Sequence, residues 1–237
     1  MNTCLFLSFA CDVAPPASEM AKLDDLLRTA PRLVKALLHS PASTCDPYVD
    51  DGPPPSLVLQ LYFAELPALE AALAHGGHLS ALLSPDEFPA LAAADVGQQA
   101  MLVRKFAVPE PAFNSPGSPY STYLVSYQGE AEDLNAWHAY YLESHAKLMA
   151  MFPDIRELEV YTRLDWVSRL PWSRLNFMQR NKVAFDSPVA LDRALNSPVR
   201  HAMRACFKAF PRFTGPTRHY AMATRIVQQQ RGLASKR

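Results

Sequence analysis

Glycine is scarce in this chain, with 8 among 237 residues. No glycine-rich loop is present to cradle a phosphate or a dinucleotide, so the common nucleotide-binding signatures are absent. Cysteine is equally sparse. Cys4, Cys11, Cys45 and Cys206 form no CxxC pair and no metal-ligand spacing, which leaves neither a disulfide framework nor a zinc site and reads as a reducing, cytoplasmic compartment. There is no HExxH and no GxSxG nucleophile elbow. Formal net charge is zero, without the basic excess a nucleic-acid binder needs. No apolar run approaches the length of a membrane span. The N-terminus MNTCLFLSFACDVAPP lacks the positive region of a signal peptide, and its short apolar run reads as a strand.

What the chain does contain is itself twice. Leu5 to Asp12 (LFLSFACD) is echoed by Tyr123 to Glu130 (YLVSYQGE), and Pro67 to Leu73 (PALEAAL) by Pro188 to Leu195 (PVALDRAL). Both matches fall at nearly the same offset, about half the chain, which is a repeat signal. Two copies are too few for a solenoid and suggest a duplicated domain packed as a pseudo-dimer. The halves differ in charge. Residues 1–118 hold 6 Lys/Arg against 13 Asp/Glu and residues 119–237 hold 17 against 10, a net of −7 and +7. Opposed charge favours docking of one half on the other; drift after duplication would also produce it.

Patterning gives each half the order β-α-β-β-α-β. In the first, strands are expected at 3–11, 32–39, 57–63 and 98–106, with helices at 18–30 and 67–74 and an exposed, mobile loop at 40–55. Residues 109–119 form a Pro/Ser/Gly linker. In the second, strands are expected at 120–127, 155–165, 175–185 and 217–227. Helices are expected at 132–151 and, with a break near 196–198, at 188–210. The tail from Gln228 is polar and expected to fray. The fold class is therefore α+β: two ferredoxin-like repeats (1–108 and 119–227) whose antiparallel sheets join bare face to bare face as an α/β-barrel pseudo-dimer.

The helix at 132–151 carries the sharpest chemical signal. Leu134, Trp137, Tyr141, His145, Leu148 and Phe152 follow three-four spacing and share one face. His145 sits within that apolar stripe beside Tyr141, and His138 lies on its edge. An inward histidine is either a proton-transfer group or a buried side chain satisfied by a carbonyl or by Tyr141. On the strand at 175–185, Gln179 and Asn181 bring amides to an otherwise apolar face, as donors to a substrate oxygen or as cross-strand partners. Arg163 is a carboxylate clamp or a partner of Glu159 or Asp165. Trp166 and Trp172 either roof an aromatic ligand or pack locally. His219 opens the last strand, a place where most side chains are exposed. His138 and His145 are too far apart along the helix to share one metal ion, and His75 and His78 read as loop residues, so no metal is expected.

The run WHAYYLESHAKLM (Trp137–Met149), followed by FPDIRELEVYTRL (Phe152–Leu164), resembles the EthD-like branch of the dimeric α/β-barrel superfamily over roughly residues 120–227. The resemblance implies a compact fold with a small-molecule pocket between sheet and helices, and makes His145 the position matching the motif's histidine. The first half has no matching histidine or tryptophan, so it is expected to serve as a scaffold in place of a partner subunit. A cofactor-independent enzyme is expected, with His145 and Tyr141 catalytic and His138, Trp137, Arg163, Trp166, Gln179 and Asn181 binding the substrate. The substrate class is an aromatic, lactone or polyketide-like metabolite. Its reaction class is a lyase, cyclase or isomerase, or alternatively a cofactor-free oxygenase; a non-catalytic accessory protein is the other reading. Haem would need an axial histidine such as His145 in a large apolar pocket. The expected partner is a small molecule, not nucleic acid or membrane, for a chain that is either monomeric or a homo-oligomer.

Overall fold

The computed structural model describes residues 3–229 except 45 and 116; of the tail expected to fray from Gln228, Gln228 and Gln229 belong to the last strand and the rest lies outside the described residues. Nine strands form: β1 (Thr3–Ala10), β2 (Leu33–Pro41), β3 (Leu57–Phe63), β4 (Asp95–Phe106), β5 (Tyr120–Tyr127), β6 (Ile155–Arg163), β7 (Ser173–Arg174), β8 (Gln179–Phe185) and β9 (Thr217–Gln229). The helices are α1 (Ala17–Thr29), α2 (Leu66–Ala72), α3 (Pro89–Ala92), α4 (Leu134–Tyr140), α5 (Ala146–Met149), α6 (Pro188–Leu195) and α7 (Pro198–Lys208). A 3-10 turn at His78–Leu83 and the short α3 fill the stretch between α2 and β4, where the sequence pattern gave no element.

Eight of the strands close into one antiparallel barrel, in the order β1-β3-β2-β9-β5-β8-β6-β4 and back to β1. The first four strands run β4-β1-β3-β2 and the last four long strands β9-β5-β8-β6, the same order when each set is counted from its own first strand. β2 pairs with β9 and β4 with β6. The α/β barrel expected from the sequence forms, but its two four-stranded sets are not left as separate sheets. The free edges hydrogen-bond to each other instead, which removes the unpaired backbone that edges expose.

Closure gives every strand a barrel face and a helix face. On β1, Leu5, Leu7 and Phe9 join the first helix-side core with Leu23 and Leu27 of α1, while Cys4 and Phe6 point into the barrel. The second helix-side core sets Tyr123, Val125, Tyr127 and Val183 against Trp137, Tyr141, Met149 and Leu191. The barrel interior mixes apolar side chains, among them Phe6, Leu37 and Met101, with buried charges. Lys182 is fully buried there, 2.9 Å from Glu159 and 3.1 Å from Glu157. Tyr161 donates to Glu159 at 2.6 Å, and Tyr62 donates to the same carboxylate. His39 is held between Thr224 (2.8 Å) and Gln60 (3.0 Å). Burial works against the charge on Glu159, but Lys182 and Lys35 hold its carboxyl down at about 2, so the interior carries formed ions.

The strand expected at 175–185 starts later, at Gln179. Residues 173–174 turn aside to pair with Gly97–Gln98. A side chain at position 97 would meet Leu175 Cδ1 at 2.7 Å, so glycine lets this segment close on β4.

Candidate active site

The second half builds its site on α4. Asp133 caps that helix, accepting from the Ala136 backbone N–H at 2.9 Å, which satisfies one of its unpaired donors. The expected continuous α-helix is interrupted at Tyr141–His145 by a single π turn, with the Ala146 N–H bonded to the Tyr141 carbonyl. The sequence explains its use. Trp137, Tyr141, His145 and Met149 are all buried and recur strictly every fourth residue. In an α-helix four residues overshoot a turn by about 40°, so such a stripe would drift off the sheet. One wider turn keeps it in line, and π turns of this kind are frequent at functional sites. Trp137 stacks on Tyr141 with ring centres 5.2 Å apart, and His145 meets Tyr141 at 5.1 Å and Phe210 at 5.0 Å.

Between this helix, β5, β8 and α7 lies a cavity of about 170 Å³, lined by Tyr123, Val125, His145, Asn181, Arg200 and His219 among others. That is close to the volume in which a protein can hold one benzene ring. α7 enters with Pro198 in its first turn and turns Arg200, Met203, Arg204 and Phe207 to the cavity, an i, i+3, i+4, i+7 face. Phe207 is 37% exposed and stands at the cavity's edge.

The electrostatics come from two layers of groups. Asp51 accepts from the His219 backbone N–H at 2.8 Å and faces His219 Nδ1 at 2.8 Å. A carboxylate on Nδ1 fixes the tautomer with the proton there and leaves Nε2 as an acceptor. Asp46 receives Arg200 through Nε at 3.0 Å and Nη2 at 2.6 Å, and the Tyr123 hydroxyl at 2.6 Å. His145 is 4% exposed, and its Nδ1 is buried with no partner among the described residues. Burial pushes the His145 pKa down to about 3, and the positive charge of Arg200 and His219 adds to the fall. Burial also lowers His219, against the pull of Asp51 upward. Both rings are therefore held toward their neutral forms, in which one ring nitrogen is an acceptor.

The expected site residues do not all converge. His145 and Asn181 line the cavity. Tyr141 is fully buried one layer behind; its hydroxyl accepts from Asn181 Nδ2 at 2.6 Å, and it touches His145 ring to ring, not by a hydrogen bond. Trp137 is fully buried in the core behind Tyr141, and Gln179 is fully buried with both amide atoms unpartnered. His138 is half-buried away from the cavity, and burial and Arg104 lower its pKa. Arg163 is engaged by Glu130 at 2.8 and 3.0 Å, neither of the two partners expected for it. Trp166 packs against the first core, with the Arg174 guanidinium 4.0 Å over its ring; Trp172 joins the same core. Arg163 ends β6 and Trp166 lies in the segment after it, and no residue of β6 lines the cavity.

Sequence reasoning passed over Arg200, Asp46, Asp51 and Tyr123, and set His219 aside as exposed. The loop expected to be mobile is pinned: Asp46 and Asp51 bind Arg200 and His219 across the two halves, and Tyr48 hydrogen-bonds His201. The available signal was its acidic composition opposite a basic second half.

No family model and no curated protein matches the sequence. Solved structures do match. An anthrone oxidase-like protein aligns over 98% of this chain and 96% of its own length, with a TM-score of 0.58 and 14% identity. A candidate monooxygenase from Fusobacterium nucleatum aligns over 96% and 93%, with a TM-score of 0.57 and 7% identity. A third, from Lactobacillus acidophilus, aligns over 96% and 95% at a TM-score of 0.50 and 9% identity. The chain has the dimeric α/β-barrel fold. This is the fold that the EthD-like resemblance implied, here closed within a single chain. Among the described residues no helix is long and apolar enough to cross a membrane, and no group of three or more metal-binding side chains occurs.

Proposed function

We propose that the His145 cavity is the active site of a cofactor-independent enzyme that removes a proton from a small aromatic or polyketide-like metabolite. The observation that carries this reading is the pairing, in one enclosed space, of a carboxylate-oriented histidine (His219 on Asp51) with a neutral buried histidine (His145) beside the Arg200 cation. An acidic C–H or O–H needs a base that is unprotonated near neutrality and a site that excludes water. Both rings meet the first condition and the buried lining the second. Their low proton affinity is corrected by the substrate itself. As the substrate becomes an anion it offsets the Arg200 charge that depresses His145 and pairs with the imidazolium that forms. His145 performs the transfer. His219 sits as the alternative acceptor, Asn181 offers an amide to the substrate oxygen, and Tyr141 positions Asn181.

Two outcomes follow from the same anion. Reprotonation or rearrangement gives an isomerase, cyclase or lyase. Direct reaction of the anion with dioxygen gives an oxygenase, the outcome favoured by the likeness to an anthrone oxidase-like protein and a candidate monooxygenase. An oxygen electrode beside a spectrophotometer, with anthrones and hydroxynaphthoquinones as substrates, separates them. Turnover lost in the folded His145→Ala and His219→Ala proteins supports the reading. Turnover retained in both variants contradicts it.

The same reading takes the chain as two ferredoxin-like repeats, 1–108 and 119–227, in which the first substitutes for a partner subunit and lends its 42–56 loop to the site. The matching strand orders and the Asp46–Arg200 and Asp51–His219 contacts support it.

A further inference from the structure

β8 sends two cations into the barrel, and they meet different fates. Lys182 finds Glu157 and Glu159. Arg180, two residues earlier and about 7 Å along the strand, finds no carboxylate among the described residues. It is 8% exposed, and its Nε is buried with no acceptor. Its guanidinium carbon lies 4.6 Å from the Phe6 ring centre and 4.5 Å from that of Phe177. Around it, at the end of the barrel where β5 finishes, is a cavity of about 230 Å³ whose lining includes Leu124, Phe177, Arg218 and Tyr220 and contains no aspartate or glutamate.

A buried charge without a partner costs several kcal/mol. Two aromatic faces offset part of that, and burial lowers the Arg180 pKa only to about 10, so the group stays charged at neutral pH. The two rings pack against the guanidinium but offer its N–H groups no acceptor. A guanidinium presents a planar fork of N–H donors suited to a carboxylate.

We infer that this barrel mouth is a second ligand site, which takes a small carboxylate on an aromatic or alkyl body, the carboxylate on the Arg180 guanidinium and the body against Phe177, Leu124 and Leu175. It is distinct from the His145 cavity. The two lie on either side of β5 and β8 and share Val125 and Asn181 as a common wall, with Leu124, Ser126 and Arg180 on one side and Tyr123, Tyr127 and Val183 on the other.

Titration calorimetry of the full chain with sodium benzoate tests this. Wild type binds benzoate. Arg180→Met, which keeps the length and removes the charge, loses at least roughly 30-fold in affinity, and Arg180→Lys, which keeps the charge without the fork, loses roughly tenfold. Met203→Trp, which fills the His145 cavity, leaves benzoate binding unchanged and so separates this site from the proposed active site. The Arg180→Met protein melts no lower than wild type, because an unpaired charge has been exchanged for apolar surface. No binding to wild type overturns the inference. So does unchanged binding to Arg180→Met, loss of binding in Met203→Trp, or failure of Arg180→Met to fold.

Discussion

At the scale of single residues, the buried histidines dictate how the protein responds to acid. His145 and His39 both fold with pKa values near 3, against an ordinary 6.5. Between those limits the unfolded chain holds more protons than the folded one, so stability is complete above pH 6.5 and falls as pH is lowered toward 3. Urea unfolding across that window should show the decline, and His145→Phe should flatten it by about one proton, or about 1.4 kcal/mol per pH unit. An unchanged slope would place His145 in water rather than in the cavity. Asp46→Ala makes a different prediction. It strands the 7%-exposed Arg200, and a broken buried pair of this kind costs about 3–5 kcal/mol, measurable as a lower denaturation midpoint. His145 could be read from its place in an apolar stripe. Arg200 and His219 could not. A cation on a helix face and a histidine at a strand start look solvated until the acid that pairs with each arrives from a loop some 150 residues earlier in the chain.

At the scale of elements, the strands were largely legible because two-residue alternation and Pro or Gly punctuation mark them; β3 and β5 begin and end where the pattern placed them. The π turn was not legible. Three-four spacing describes both an α-helix and this interrupted one, and only a strict four-residue recurrence at 137, 141, 145 and 149 hints at the difference. The turn acts as a one-residue insertion, so deleting the exposed Glu143 should restore a regular helix without breaking its flanks. The deletion protein should keep its far-ultraviolet circular dichroism and lose ligand binding. Retained binding would show that the π turn does not position His145. The 42–56 loop is the opposite case. Its Pro, Asp and Gly content says loop correctly, but composition is blind to long-range partners that hold a loop in place.

At the scale of the whole molecule, the repeat signal in the sequence led to the expectation of a barrel, which forms, while the pairing of its edges was hidden. Edge pairing and face stacking bury the same apolar residues, and the sequence carries no separate mark for either. Closure buries the charges: Lys182 and Glu159 are already direct partners across β8 and β6, and the closed barrel brings Tyr62 of β3 onto both. Lys182→Met should cost about 3–5 kcal/mol, and adding Glu159→Gln should recover part of it, as a double-mutant cycle on unfolding free energies would show. The proposed function rests on one step, in which a small acidic molecule gives up its proton inside the His145 cavity. The most direct test is the absorption spectrum of 4-nitrophenol bound at a pH well below its own pKa. Wild type should show the phenolate band on binding and His145→Ala should not. A bound ligand that stays neutral in wild type, or an equal phenolate band in the variant, would contradict the account.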